Sequence, residues 1–219
     1  MLLQPKYENH QSTVKQTYTT VAARGPMLDR VYSMRYRSYS EEGYIEKNTS
    51  EKFMDEYDAQ SNCTSHLLYY GDKAVASIRT CLYDPQEDLD VPIMDVYAKE
   101  IEENIPSNSA FIEVNKFVVD PSFQQKGGLQ ARFQLFYLMT EQCLDQGATS
   151  ILIAVRPEHV RFYKMLKCYA ISESKQYPHL NFDTVLLACT EVKKAQAFIS
   201  RKLGFGKVGN ESVSNYRVN

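Results

Sequence analysis

The chain has 219 residues, with 25 Lys and Arg against 27 Asp and Glu, and a formal net charge of −2 at pH 7. That length fits one domain with a sizeable core, and the near-neutral charge without pooled basic residues argues against a nucleic-acid partner. No apolar run approaches the roughly 20 residues that span a membrane, and the N-terminus lacks the basic and apolar regions of a secretory signal. We therefore expect a cytoplasmic protein without a transmembrane segment.

Five widely spaced cysteines lie mostly in apolar strand or helix patterns, and no two of them form a CxxC pair. Structural zinc sites usually need such paired cysteines. The pattern therefore predicts buried thiols in a reducing compartment and no metal site. The cysteines are Cys63, Cys81, Cys143, Cys168 and Cys189.

Hydrophobic patterns along the chain predict one domain at residues 15–205, between a flexible arm at 1–14 and a tail at 206–219. Alternating or continuous apolar runs predict strands at 16–23, 63–70, 74–83, from 111 onward, 150–155, 170–172 and 184–190. Apolar stripes predict helices at 27–42, 94–101, about 125–146, 157–166 and 192–203. The polar segment 44–61 is predicted to be a long loop. This order favours a mixed sheet with helices on both faces.

The segment FIEVNKFVVDPSFQQKGGLQ at 111–130 combines a strand, a turn with paired glycines and a helix. Alternation along the strand places Glu113 and Phe117 on one face and Lys116 on the other. Backbone N–H groups at such a turn bind anions, so it predicts a phosphate site. An ordinary turn without a ligand fits the spacing equally well. The residues of the predicted turn are Gln124, Gln125, Lys126, Gly127 and Gly128.

Two residues are candidates for proton transfer. Glu113 is a carboxylate in an otherwise apolar strand, and it is either a general base at the mouth of a cleft or the partner of Lys116 or Arg79 in an ion pair. Tyr163 lies near the start of a predicted helix. Its phenol either protonates a leaving thiolate, or it packs partly exposed beside an inward-facing Phe162.

The loop motif MDEYDAQ contributes Asp55 and Asp58. These carboxylates bind the amino group of a substrate, pair with Arg35 or Arg37, or remain solvated, and for an isolated acidic loop the solvated state is favoured. Arg79 lies in the middle of a predicted strand and needs an anionic partner. A substrate and the Asp55/Asp58 loop are equally good candidates for that partner.

The order of elements, together with VDPSFQQKGGLQ and RFYKML, resembles the GCN5-related N-acyltransferase (GNAT) superfamily. In that superfamily a strand followed by a (Q/R)xxGx(G/A) turn binds the pyrophosphate of coenzyme A or the pantetheine phosphate. Here the corresponding residues are 124–129 or, one position later, 125–130, and neither alignment has a small residue at the last position. The FYxxLGF segment, whose tyrosine is the general acid in many members, corresponds to FYKMLKC at 162–168 and places that tyrosine at Tyr163.

The N-terminal half resembles the acyl-homoserine-lactone synthases, and still more the related N-acyl amino acid synthases. The lactone synthases also use a tryptophan near the first helix to bind S-adenosylmethionine. This chain contains no tryptophan, which favours an amino acid acceptor. The matching positions are Arg35, Asp55, Asp58, Arg79, Glu113 and Phe117, with Lys116 in place of an arginine.

The resemblance implies a GNAT-like α/β (α+β) fold with a mixed, mostly antiparallel central sheet. It implies transfer of a long-chain acyl group from an acyl carrier protein or acyl-CoA thioester to the α-amino group of an amino acid such as tyrosine. The donor is then an acyl-phosphopantetheine, with no tightly bound cofactor and with an acyl carrier protein as partner. The alternatives are an acetyl-CoA-dependent small-amine acetyltransferase, a lactone synthase and a non-catalytic acyl-binding module.

In the implied reaction Glu113 deprotonates the acceptor and Tyr163 or a water protonates the leaving thiol. Backbone N–H groups of Val118 and Val119 polarise the thioester carbonyl. The two strand cations hold the acceptor carboxylate or the donor phosphate. These cations are Arg79 and Lys116.

Overall fold

The structure is a computed structural model that describes residues 17–87 and 89–205. The expected arm at 1–14 and tail at 206–219 lie outside these ranges. The helices described are α1 (Pro26–Glu41), α2 (Met94–Asn104), α3 (Pro121–Asp145), α4 (Val160–Met165) and α5 (Val192–Leu203). The strands described are β1 (Tyr18–Ala22), β2 (Cys63–Tyr70), β3 (Lys73–Tyr83), β4 (Phe111–Val119), β5 (Ser150–Val155), β6 (Tyr169–Ala170), β7 (Lys175–Gln176) and β8 (Asp183–Cys189).

The strands form one sheet in the order β1-β2-β3-β4-β5-β8-β6, and β7 pairs with β8 beside this path. Only the central β4–β5 pair is parallel, and the other pairs in the described ranges are antiparallel. The predicted mixed, mostly antiparallel sheet is confirmed. No helix in the described ranges is long and apolar enough to cross a membrane.

Helices cover both faces of the sheet, as predicted. The run SILIAV of β5 shows why: Ile151 and Ile153 pack into the core that contains α3, α4 and α5, while Leu152 packs into the core beneath α2. A strand buried on both faces needs such a continuous apolar run. The helix α1 covers the end of the face on which α2 packs, and Val31 of α1 belongs to the same apolar cluster as Val118 of β4.

The predicted boundaries of several short elements are wrong. The segment 157–166 is a 3-10 turn at Pro157–His159 followed by α4, and α2 continues to Asn104. The strand expected at 170–172 is Tyr169–Ala170, and β7 has no counterpart among the predicted strands. The long loop predicted at 44–61 is confirmed, and it contains the short 3-10 helix Glu56–Ala59.

The predicted glycine turn is also wrong, because α3 begins before it. Asp120 caps the helix through its side chain and Pro121 occupies the first helical position, which are two strong signals for a helix start. Residues 124–128 therefore lie within the first two turns of α3. Gly127 and Gly128 have no positive φ that would require glycine.

Replacement of each of the two glycines of α3 by alanine should change the stability in opposite directions. A Cβ at Gly127 would lie 2.6 Å from the ring of Phe123 and 2.9 Å from Tyr18 Oη, whereas one at Gly128 meets nothing closer than 3.8 Å. We expect Gly127→Ala to lower the free energy of unfolding by about 1–3 kcal/mol through overpacking. Gly128→Ala should raise it by up to about 1 kcal/mol through helix propensity. Urea denaturation of both variants checks this, and equal shifts would contradict the helical packing of Gly127.

Candidate active site

A cleft opens where two central strands separate. β4 and β5 pair in parallel only as far as Val114 and Ile153, although both strands continue beyond these residues. A cleft of about 550 Å³ lies in the gap and is lined by residues 113–119 of β4 and by residues 153–156 at the end of β5. Because the sheet is open here, side chains from both of its faces reach the cleft.

A bulge in β4 decides which side chains face each side of the cleft. Beyond the Asn115–Arg79 pair, two β4 residues, Lys116 and Phe117, stand opposite a single β3 residue, and Lys116 has a φ of 49°. A bulge of this kind re-aims side chains. Lys116 therefore lies on the face of α1 and α2 with Glu113, and Phe117 packs beneath α3 on the other face. The predicted alternation is wrong beyond Asn115.

Glu113 is a buried carboxyl at the bottom of the cleft, with 1% of its surface exposed. Its Oε2 accepts a 2.9 Å hydrogen bond from the Ile93 N–H at the start of α2, and its Oε1 accepts a 2.6 Å bond from Asn115 Nδ2. Burial raises the pKa of Glu113 to about 7, although these hydrogen bonds act in the opposite direction. The predicted alternative of an ion pair with Lys116 or Arg79 is wrong, because both cations bind the Asp55/Asp58 loop instead.

Asn115 connects Glu113 to a buried arginine. Its Oδ1 accepts a 2.8 Å hydrogen bond from Arg79 Nε. Because a guanidinium only donates, this bond fixes the orientation of the amide and turns its Nδ2 group toward Glu113. Arg79 also donates through both terminal nitrogens to Asp55 and lies 3.2 Å from Asp58. With 1% of its side chain exposed, Arg79 positions its neighbours.

Arg35 and Asp58 form the deepest part of this network. Arg35 Nη1 is 2.8 Å from Asp58 Oδ1, and Arg35 Nη2 donates to Ser65 Oγ at 2.6 Å. Their side chains are 0% and 2% exposed. The solvated acidic loop that the sequence favours is wrong for Asp58, because a charge this deep needs its paired cation. Arg37, the other predicted partner, binds Asp120 instead.

Asp55 and Lys116 form the accessible edge of the network. Lys116 Nζ lies 3.1 Å from Asp55 Oδ2 and 3.6 Å from the centre of the Phe53 ring. Burial alone would raise the pKa of Asp55, but the hydrogen bonds and charges of Arg79 and Lys116 lower it to about 2. Burial lowers the pKa of Lys116 to about 8 against the opposing effect of Asp55. The cleft wall thus presents a carboxylate and an ammonium side by side.

Tyr163 closes the cleft from the face of α3 and α4. Its ring contacts Phe136 and Phe162 edge to face, with centroids 5.2 and 5.6 Å away. The alternative in which Tyr163 is partly exposed beside an inward Phe162 is wrong, since Tyr163 is the buried residue of the two. Burial raises the pKa of Tyr163 well above its usual value. Its hydroxyl therefore stays protonated at neutral pH.

The N-terminus of α3 is occupied by the chain's own carboxylate. Asp120 Oδ1 accepts the Ser122 N–H at 3.0 Å, the Asp120 carbonyl accepts the Phe123 N–H at 2.8 Å, and Pro121 has no N–H. An anionic ligand would have to displace Asp120 and meet its charge. The predicted convergence of N–H groups exists at the helix start, but Asp120 fills it.

Most of the predicted site residues line the cleft. They are Glu113, Tyr163, Asp55, Arg79, Lys116, Phe117, Val118, Val119 and Gln124. The remaining predicted residues lie outside the cleft wall: Arg35 and Asp58 are buried behind it, and the rest belong to α3. This second group is Arg35, Asp58, Gln125, Lys126, Gly127 and Gly128.

Sequence reasoning missed several cleft residues. Asn115 has a local signal, since it follows Glu113 by two positions on the same face of a strand. Arg132 lies on the same stripe of α3 as Gln124, and both reach the cleft. Tyr177 has no local signal, because it lies in the segment between β7 and β8 and reaches the cleft only through folding. No cluster of metal-binding side chains occurs in the described parts of the chain.

The buried carboxyl of Glu113 predicts a pH-dependent stability difference. The folded pKa of about 7 exceeds the ordinary value of 4.5, so its contribution is fully present below pH 4.5 and is lost as the pH rises through 7. This shift corresponds to about 3 kcal/mol. We expect the stability of the wild type relative to Glu113→Gln to fall by about that amount across the window. Urea denaturation over a pH series checks this, with the exposed Glu102→Gln as control, and a pH-independent difference would contradict it.

Comparisons with known proteins identify solved structures with a similar fold. FeeM, an N-acyl amino acid synthase from uncultured soil microbes, is 19% identical, with a TM-score of 0.68 over 83% of this chain and 94% of FeeM. BjaI, a CoA-dependent acyl-homoserine lactone synthase in a structure with MTA, is 16% identical, with a TM-score of 0.66 over 87% of this chain and 90% of BjaI. A second BjaI structure, with SAM and isopentyl-CoA, is 15% identical, with a TM-score of 0.62 over the same shares.

These likenesses establish the GNAT-like fold that the sequence predicts. No protein with a curated description matches the sequence. The sequence profile of the N-acyl amino acid synthase FeeM family matches residues 30–190, which is most of the chain and includes the whole cleft. The chain therefore belongs to the N-acyl amino acid synthase FeeM family of acyltransferases.

Proposed function

We propose that this N-acyltransferase moves a long-chain acyl group from a phosphopantetheine thioester to the α-amino group of an amino acid such as tyrosine. One observation carries the proposal: Glu113 is a buried carboxyl with a pKa of about 7 at the point where β4 and β5 separate. An ammonium group must lose a proton before it attacks a thioester. A base works best when its pKa lies near the operating pH, and Glu113 meets that condition.

The acceptor enters from the face of α1 and α2. There the Asp55 carboxylate and the Lys116 ammonium lie 3.1 Å apart in the cleft wall, an arrangement that suits the two charges of an amino acid. Arg79 already donates to Asp55 and Asn115, so we assign the acceptor carboxylate to Lys116. Glu113 then removes a proton from the acceptor ammonium, directly or through a water.

The free amine attacks the thioester carbonyl carbon, the C–N bond forms and the C–S bond breaks. The Asp120 N–H donates to the Val75 carbonyl of β3, and because successive N–H groups of a strand point to opposite edges, the Val119 N–H faces the gap and the Val118 N–H faces β3. We therefore assign the Val119 N–H to the developing oxyanion, since a backbone donor is the usual way to stabilise this charge. Tyr163 donates a hydrogen bond from its protonated hydroxyl to the leaving sulfur. The second proton that the attacking nitrogen loses passes through a water to the thiolate, so the donor leaves as a thiol.

The donor enters from the face of α3 and α4, where the rings of Phe117, Phe162 and Tyr163 line the cleft and suit an acyl chain. Asp120 occupies the N-terminus of α3, which makes the site unfavourable for the pyrophosphate of free coenzyme A. An acyl carrier protein presents phosphopantetheine, whose single phosphodiester charge replaces the pyrophosphate and lessens this repulsion, and we propose it as the donor. Free acyl-CoA is the second candidate, since BjaI has been observed with isopentyl-CoA.

Mass spectrometry of organic extracts from cells that express the chain tests the proposal. We expect N-acyl amino acids in cells with the wild type and not in cells with Glu113→Gln at equal expression. Acyl-homoserine lactones would instead make the protein a lactone synthase. Extracts with neither product, from cells supplied with amino acids and fatty acids, would overturn the proposed function.

A further inference from the structure

The cleft of this chain contains an amine of its own. Among the described residues that line the cleft, one is a lysine, Lys116. The other strongly basic side chains of the cleft are arginines: Arg79, Arg132 and Arg156. A guanidinium stays protonated in proteins and does not act as a nucleophile. A lysine amine, once neutral, attacks carbonyl groups. Lys116 is therefore a candidate nucleophile in its own right.

The β4 bulge holds this amine close to the reaction zone. Lys116 follows Glu113 and precedes Val119 on the same strand, and these two residues flank the proposed position of the thioester carbonyl. The contacts of its ammonium with Asp55 and Phe53 keep the side chain against the cleft wall, where 15% of it is exposed. The positive φ of Lys116 belongs to a conformation that non-glycine residues seldom adopt, so the bulge aims this side chain at a fixed place.

The protonation state of Lys116 agrees with this role. Burial lowers the pKa of Lys116 to about 8, so a large share of the amine is neutral at pH 8. A solvated lysine with the ordinary pKa of 10.5 holds a neutral fraction that is roughly a hundredfold smaller.

We propose that Lys116 is a self-acylation site: when no acceptor occupies the cleft, its amine attacks the bound acyl thioester. The N–C bond forms and the C–S bond breaks. The proton that the amine loses passes to the Glu113 carboxylate and from there through water to the pantetheine thiolate, which leaves as the thiol. The product is an amide on Lys116. This inference rests on the proposed function, because it uses the same donor and the same base.

Self-acylation inactivates the enzyme. The amide has no charge to pair with Asp55, and its acyl chain occupies the cleft. A thioester on the enzyme would be cleaved again, but an amide is stable. The acyl chain on Lys116 therefore continues to block the cleft. A bound acceptor protects Lys116, because in the proposed function its carboxylate lies against the same ammonium.

Self-acylation is tested in the absence of an acceptor. The full-length protein is incubated with octanoyl-CoA and, separately, with octanoyl acyl carrier protein. Neutral hydroxylamine removes any thioester on cysteine before intact-mass measurement and peptide mapping, because it leaves amides intact. We expect one octanoyl group on Lys116, formed at least tenfold faster than on the exposed Lys126 of α3. In Lys116→Arg the adduct disappears, while Lys126→Arg leaves it unchanged. Glu113→Gln slows its formation, and added tyrosine suppresses it.

Acylation of Lys116 at the rate of Lys126, or no acylation of Lys116, overturns the inference. The same reactions are analysed for N-octanoyl tyrosine when tyrosine is present. N-octanoyl tyrosine in the reaction with tyrosine, together with no Lys116 adduct in the reaction without tyrosine, rejects self-acylation and leaves the proposed function in place. Absence of both products with both donors rejects the proposed function and the inference together.

Discussion

Replacement of Glu113 by glutamine is expected to lower kcat/KM by roughly 10²–10⁴-fold, the usual contribution of a positioned base. The glutamine side chain keeps the shape of the glutamate but takes up no proton. In the wild type, kcat/KM should rise with pH through an acidic limb near 7, because the pKa of Glu113 is raised to about 7 and only the ionised form acts as a base. The variant should lack this limb. Thiol release from the acyl thioester across a pH series measures both effects.

Glu102→Gln is the matched control for the activity prediction, because Glu102 is an exposed carboxylate on α2. It should retain wild-type kcat/KM and the acidic limb. Unchanged turnover in Glu113→Gln, with the folded state verified by circular dichroism, would remove Glu113 from the mechanism. A retained limb in a slow variant would assign the titration to another group.

Asp58→Asn is expected to give the largest loss of stability, about 3–5 kcal/mol, which is typical when one partner of a buried ion pair is removed. Asp58 contacts two guanidinium groups, those of Arg35 and Arg79, and accepts the Asp55 N–H at 3.1 Å. An asparagine leaves two buried cations with less negative charge. The free energy of unfolding from urea denaturation measures the effect.

Glu56→Gln, in the same 3-10 turn but exposed, should change stability by no more than about 0.5 kcal/mol. If Asp58→Asn does not accumulate as folded protein, Ser65→Ala provides a milder test. It removes the 2.6 Å acceptor of Arg35 and should cost about 1–3 kcal/mol. Wild-type stability in both Asp58→Asn and Ser65→Ala would contradict the role of this network in holding the loop.

The sequence predicted the sheet better than its irregularities. Continuous apolar runs such as SILIAV are typical of a strand that is buried on both faces of a sheet, and they predicted β5 and β8. The glycine pair misled because Asp120 and Pro121 already start α3 upstream of it. The β4 bulge is a property of the pairing with β3, so no pattern within 111–119 reveals it. The resulting exchange of Lys116 and Phe117 between faces was therefore missed.

The candidate site was predictable only where a residue stands out from its neighbours in the sequence. Glu113 stood out because a carboxylate interrupts an apolar strand, and the structure places it at the cleft. Asp58 looked like a solvated acid because its partner Arg35 lies 23 residues away in the sequence. Only the tertiary fold brings the two charges together. Tyr177 joins the cleft in the same way.

The central claim is that Glu113 acts as the base for acyl transfer to an amine in this cleft. Product analysis with the purified protein tests this claim most directly. The protein is mixed with an octanoyl thioester and ¹⁵N-labelled tyrosine, and released thiol and labelled amide are quantified together. The account predicts one N-octanoyl tyrosine for each thiol, with both lost in Glu113→Gln and both retained in Glu102→Gln. Thiol release with free octanoic acid in place of the amide would contradict it.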